Sequence, residues 1–196
     1  MVDVSAELGR LSELDELTGP AAAAVLGAAG WEGERRNPAK AWATTWRRGD
    51  ARAWIQGDGP SVQVEFTLWY REVEDEWPDP DTCLDDLYDA ASAELPRVVA
   101  RLESGPLGAR LEPSEEDLTD GADYIDHTVW RLLGKVLLAG VKHDDAEAPV
   151  QLVVVVREYG EGGEGESLSS HWDTRARTTS PTVGRSTGGS TCWTAP

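Results

Sequence analysis

Cysteine, methionine and phenylalanine are nearly absent: two, one and one in 196 residues. Cys83 and Cys192 lie far apart, one in a helical pattern and one near the chain's end. That spacing excludes a disulfide framework and a metal-binding cysteine motif, and a reducing compartment is the simpler expectation. Long apolar runs are missing too. The most aliphatic stretch, Leu152 to Val156, is strand-sized, far short of the roughly 18 residues that suggest a membrane span. Met1-Val2-Asp3 leads into acidic residues and not into the apolar core of a signal peptide, so a cytoplasmic location is expected.

Positive charge is also scarce. Lys and Arg total 18 against 36 Asp and Glu, a formal net charge of −18. A phosphate backbone is bound by neutralising it with cations, so nucleic acid is not an expected partner, and a basic protein partner fits better. There is no Gly-x-Ser-x-Gly elbow, phosphate loop or dinucleotide glycine fingerprint. No cofactor is therefore expected, and enzymatic activity has little support.

What the chain does have is nine tryptophans and a clear succession of helix and strand patterns. Leu8, Leu11, Leu14 and Leu17 recur at near-helical spacing from Ser5. Thr18-Gly19-Pro20 ends that helix and opens a second, Ala-rich one that Gly30 can cap. Turn signals at Gly49-Asp50 and Gly57-Asp58-Gly59-Pro60 divide the next stretch into strands 41–48, 51–56 and 61–71. A two-residue first loop puts Trp46 opposite Ala53, and a four-residue second loop puts Ile55 opposite Val62. One face then carries Trp42, Trp46, Ala53, Ile55, Val62, Val64, Phe66, Leu68 and Tyr70. The other carries Arg47, Arg52, Trp54, Gln63, Glu65, Trp69 and Arg71, a dry face and a wet one.

A second apolar stripe, Leu84, Leu87, Tyr88, Ala91, Leu95, Val98, Val99 and Leu102, predicts a helix from Thr82. Pro96 inside it predicts a kink or two abutting helices. Residues 107–123 read as an acidic loop, with a short helix expected from Ser114. Thr128-Val129-Trp130-Arg131 then echoes Thr44-Thr45-Trp46-Arg47, and Val150-Gln151-Leu152 echoes Val62-Gln63-Val64. The match favours strands on both sides of a turn near Gly134.

The expected fold is α+β. Residues 1–159 form a single domain of two helix–strand–strand–strand units, 20–71 and 82–158. They build an antiparallel sheet of about six strands with helices on one face. Residues 160–196, rich in Gly, Ser and Thr, form a disordered tail. In the second unit the outer face is apolar as well: Ile125, Val129, Val136, Leu138, Val153 and Val155. It needs cover from the chain itself, a second copy or a client.

Three functional readings arise. Trp54 and Trp69, beside Arg52 and Arg71 on the wet face, have the composition of an interface hot spot. His143, with Asp126 and Asp144 near the same hairpin end, offers donors for a divalent metal. The apolar outer face offers a homodimer surface. The order helix, three strands, helix, strands over residues 20–158, with an acidic surface, resembles the fold of type III secretion chaperones. Small acidic immunity proteins of bacterial toxin systems have similar layouts. That resemblance implies a non-enzymatic module that binds a protein partner. A metal-dependent hydrolase and a structural homodimer are the alternatives.

Overall fold

A computed structural model describes residues 2–57, 59–73, 80–119, 121–145 and 148–160. The expected tail lies outside the described residues apart from Gly160. Helix α1 spans Ser5–Ser12 and α2 Gly19–Ala28. The Thr18 hydroxyl accepts a hydrogen bond from the Ala21 amide at 3.4 Å, Pro20 sits in the first turn, and Gly30 at φ +79° turns the chain out. Strands follow at Glu32–Glu34 (β1), Thr45–Arg48 (β2), Ala51–Gln56 (β3) and Gln63–Arg71 (β4). Helix α3 spans Pro80–Ser104, and a single 3-10 turn covers Gly108–Arg110. Strands Glu112–Pro113 (β5), Tyr124–Leu132 (β6), Lys135–Lys142 (β7) and Val150–Glu158 (β8) complete the chain.

All eight strands join one antiparallel sheet in the order β1-β2-β3-β4-β8-β7-β6-β5. The expectation of about six strands was short by β1 and β5, edge strands of three and two residues. Glu-Gly-Glu and Glu-Pro carry no apolar alternation, so nothing local marks them as strands. Each half has the same order: a helix, a short edge strand and a three-stranded meander. The meanders meet along β4 and β8.

All three helices share one core cluster with one face of the sheet, where Trp46, Phe66, Trp130, Leu137 and Val154 are buried. Helix α3 runs as one element through Pro96, and the two abutting helices do not form. Proline deletes only its own bond to the Ser92 carbonyl. Ala91, Leu95, Val98 and Leu102, on both sides of it, are all buried against the sheet. Helix α1 stops earlier than its leucine spacing implies, and Leu17 packs in the core from the link to α2. No helix forms at Ser114. No helix among the described residues is long and apolar enough to cross a membrane.

The first hairpin has the expected register, Trp46 opposite Ala53, with Gly49 at φ +59° in its two-residue turn. The second pairs Ile55 with Val64 instead of Val62, so its loop is two residues longer. A two-residue shift leaves each side chain on its own face, because the strand period is two. The expected dry face is therefore the buried one as far as Leu68, whereas Tyr70, expected on it, pairs with Gln151 beyond an irregularity in β4 and stands on the other face. At the turn between β6 and β7, Leu133 at φ +51° precedes Gly134 at φ +77° and projects into solvent.

One buried charge ties the N-terminus to the sheet. Glu7, 2% exposed, pairs through Oε1 with the Arg48 guanidinium and accepts from Trp31 Nε1 at 3.2 Å. Arg48 also donates to the Asp3 carbonyl at 2.8 Å and stacks on the Trp31 ring. Replacing Arg48 by Met strands that carboxylate in the core. The expected cost is about 3 kcal/mol, read from urea denaturation. A loss under about 1 kcal/mol would show that Glu7 needs no partner.

Candidate functional site

On the outer face, the side away from the helices, cross-strand neighbours line up in rows. One row runs Thr45, Trp54, Glu65, Val155, Leu138, Val129. Another runs Arg47, Arg52, Thr67, Val153, Gly140, His127. The first is largely polar on β2–β4 and turns apolar on β6–β8; the second turns apolar on β8 and β7 and ends on exposed His127. The face has a seam where β4 meets β8.

The apolar half is covered by the chain itself. Val129, Val136, Leu138, Val153 and Val155 form a second buried cluster, against which Leu118, Tyr124 and Tyr159 pack. Several bonds hold the covering segment. The Ser114 amide donates to the Val129 carbonyl at 3.0 Å, and Arg157 donates to the Leu118 carbonyl at 2.8 Å. Arg131 bonds both Glu116, at 2.6 Å, and the Tyr159 hydroxyl, at 2.9 Å. The apolar surface that suggested a homodimer is thus shielded by Leu118, Tyr124 and Tyr159. Ile125 does not join it: a register shift between Tyr124 and Asp126 leaves Ile125 45% exposed.

A similar shift corrects the expected Trp54–Trp69 patch. Between Thr67 and Trp69 the β4–β8 register slips, so Thr67 pairs with Val153 and Trp69 with Leu152. Leu152 belongs to the helix-side core, and Trp69 packs against that core. The bulge turns Trp69 through the sheet. Trp54 and Arg52 remain on the outer face, where Arg52 stacks on Tyr70 at 4.3 Å and donates to its hydroxyl at 2.8 Å. Trp69 and Arg71 stack on each other at 5.4 Å and line a separate groove with Val2, Ala51 and Leu68.

The residues considered for metal binding have other surroundings. His143 Nδ1 lies 2.9 Å from the Tyr88 hydroxyl of α3. Burial, then Asp85, raises the Tyr88 pKa above its ordinary value. Asp144 pairs with Lys142 at 3.4 Å, and Asp126 is exposed on β6. No group of three or more His, Cys, Asp or Glu among the described residues is arranged to hold a metal ion.

Sequence reasoning missed the cleft at the seam. It has a volume of about 280 Å³. Gln56, Gln63 and Glu65 line it from β3 and β4, Val136, Leu138, Lys142 and Val155 from β7 and β8, and Leu118 and Tyr124 from the cover side. Glu65 is 4% exposed, and its Oε2 accepts from Lys142 Nζ at 2.9 Å. The two residues stand 77 positions apart in the chain, so no local pattern announces the pair. Comparison with protein-family models, with curated proteins and with solved structures finds no match to this chain.

Tyr124 lies over Gly140, where an added Cβ would come within 2.6 Å of its ring. Burial, then the charges of Glu65 and Asp144, push its hydroxyl up to about 12. A phenol whose folded pKa exceeds its unfolded value contributes stability below the unfolded pKa and loses it as pH rises through the folded one. Stability should therefore fall between about pH 10 and 12, and Tyr124→Phe should flatten that fall. Urea midpoints taken across this window check it, and an equal fall in the variant would remove Tyr124 as the cause.

Proposed function

We propose that the chain is a non-enzymatic protein-binding module, of the secretion-chaperone or immunity-protein kind, and that it engages its partner through the outer face of β2–β4. One observation carries the reading: the chain covers the outer face of β6–β8 with its own Leu118, Tyr124 and Tyr159 and leaves half-buried Trp54, Arg52 and Tyr70 outside that cover. Aromatic rings braced by arginine present large area at low entropic cost, the makeup of interface anchors. Trp69 and Arg71 are not part of this surface, because the β4 bulge takes Trp69 to the helix side.

The acidic balance fits a basic partner reached along the rim of the same face. Glu115, Glu116, Asp117 and Asp123 line a groove there with Tyr124 and His127. Hydrogen bonds from the Thr119 hydroxyl and then its amide hold the Asp117 pKa below its usual value, so this carboxylate stays charged at neutral pH. Such a rim speeds capture of a cationic surface, while the aromatic centre supplies affinity.

The test is affinity capture from the source cells with the wild-type chain and a Trp54→Ser, Tyr70→Ser variant of unchanged urea midpoint. The reading expects one polypeptide held stoichiometrically by the wild type. The variant should weaken it by about 2 kcal/mol, roughly thirtyfold in Kd. Equal affinity for wild type and variant would place the partner surface elsewhere.

A further inference from the structure

The seam cleft contains more hydrogen-bonding capacity than the fold uses. Glu65 is almost fully buried, yet only its Oε2 is engaged, by Lys142. Its Oε1 lines the cleft with no hydrogen bond to any described residue. The side-chain amides of Gln56 and Gln63, opposite one another on β3 and β4, line the same cleft and are likewise unengaged among the described residues. So is the Tyr124 hydroxyl, which stays protonated through neutral pH and can donate. Gln56 is exposed and Gln63 and Tyr124 are half-buried, so these groups face an open cleft, where a ligand can take up their hydrogen bonds in place of water.

The charges of the cleft indicate what would fit. Its two carboxylates, Glu65 and Asp144, are balanced by Lys142 and Arg157. Lys142 bridges both acids, at 2.9 Å and 3.4 Å. A charged ligand would add an unbalanced charge to a cleft whose own charges already pair off. A neutral ligand leaves that balance intact. The free groups are planar forks and a hydroxyl, each able to donate or accept at adjacent atoms. They suit a ligand bearing neighbouring hydroxyls. The opposite wall, Val136, Leu138 and Val155, is apolar and suits C–H edges. At about 280 Å³ the space equals that of about nine waters. That is the lower end of ligand sites, with room for one ring.

We propose that the cleft between β3–β4 and β7–β8 binds a single small neutral polyol, a monosaccharide or cyclitol, held by Gln56, Gln63, Glu65 and Tyr124. The site borders the Trp54–Tyr70 surface, since Trp54 pairs with Glu65 across β3 and β4, but it does not depend on the protein-partner reading. For a ligand of about a dozen non-hydrogen atoms in so small and open a site, the expected Kd is in the millimolar range.

The experiment is a titration of the full-length chain with D-glucose, D-galactose, D-mannose and myo-inositol. The readout is the side-chain amide cross-peaks of Gln56 and Gln63 in ¹H–¹⁵N spectra. At least one compound should give a saturable shift of both amides. Substituting Gln63→Ala should weaken binding, read on the remaining Gln56 peak, at least about tenfold, as should Gln56→Ala read on Gln63. Gln56 is exposed and Gln63 half-buried, so folding is not at stake. Silence from all four compounds would overturn the proposal. So would a shift that either glutamine variant leaves undiminished, or tighter binding of N-acetyl-arginine amide or glutamate, which would mark an ion site.

Discussion

Strands β4 and β8 are nine residues each, and their pairing holds the molecule together. Each belongs to a three-stranded meander with a helix on one side. Apart, each half would expose a long apolar strand edge, the surface that promotes aggregation. Joined, they bury Val64, Phe66, Val154 and Val156 at the centre of a continuous core. The remaining edges, β1 and β5, are short and carry Glu32, Glu34, Glu112 and Pro113. Short, charged and proline-bearing edges resist further strand addition. The sheet is therefore closed to growth although it is not a barrel.

The same junction produces the chemistry of the outer face. The two meanders bring unlike surfaces to it: polar and aromatic from β2–β4, aliphatic from β6–β8. The aliphatic half must be covered, and Leu118, Tyr124 and Tyr159 cover it. At the boundary a strand carboxylate is buried beside valines and has to be neutralised, which Lys142 does from across the junction. The cleft lies where cover, polar half and apolar half meet. Its polar groups stay open because the covering segment reaches only to their margin.

Which side chains face the core was legible in the sequence, because strand alternation fixes faces even when the register is off by two. Trp46, Ala53, Ile55, Val64 and Phe66 are buried as alternation implies, despite the longer loop at 57–62. Bulges were not legible. The slips at Thr67/Trp69 and Tyr124/Asp126 fall on strand segments that carry no glycine or proline to announce them. Each slip reverses the alternation beyond it, which is why Trp69 and Ile125 departed from expectation while Trp54 and Val129 did not. The seam site was less visible still. Glu65 reads as an ordinary wet-face residue until β7 brings Lys142 to it.

The most direct test of this account is where Trp69 points. In a methyl-labelled sample, nuclear Overhauser contacts from the Trp69 indole should reach the Leu152 methyls on the helix side, and those from Trp54 should reach the Thr45 methyl on the outer side. That outcome places the bulge, the divided outer face and the seam where they are described. Contacts from Trp69 to Val153, with Trp54 and Trp69 sharing one face, would contradict the bulge and with it the separation of the two surfaces.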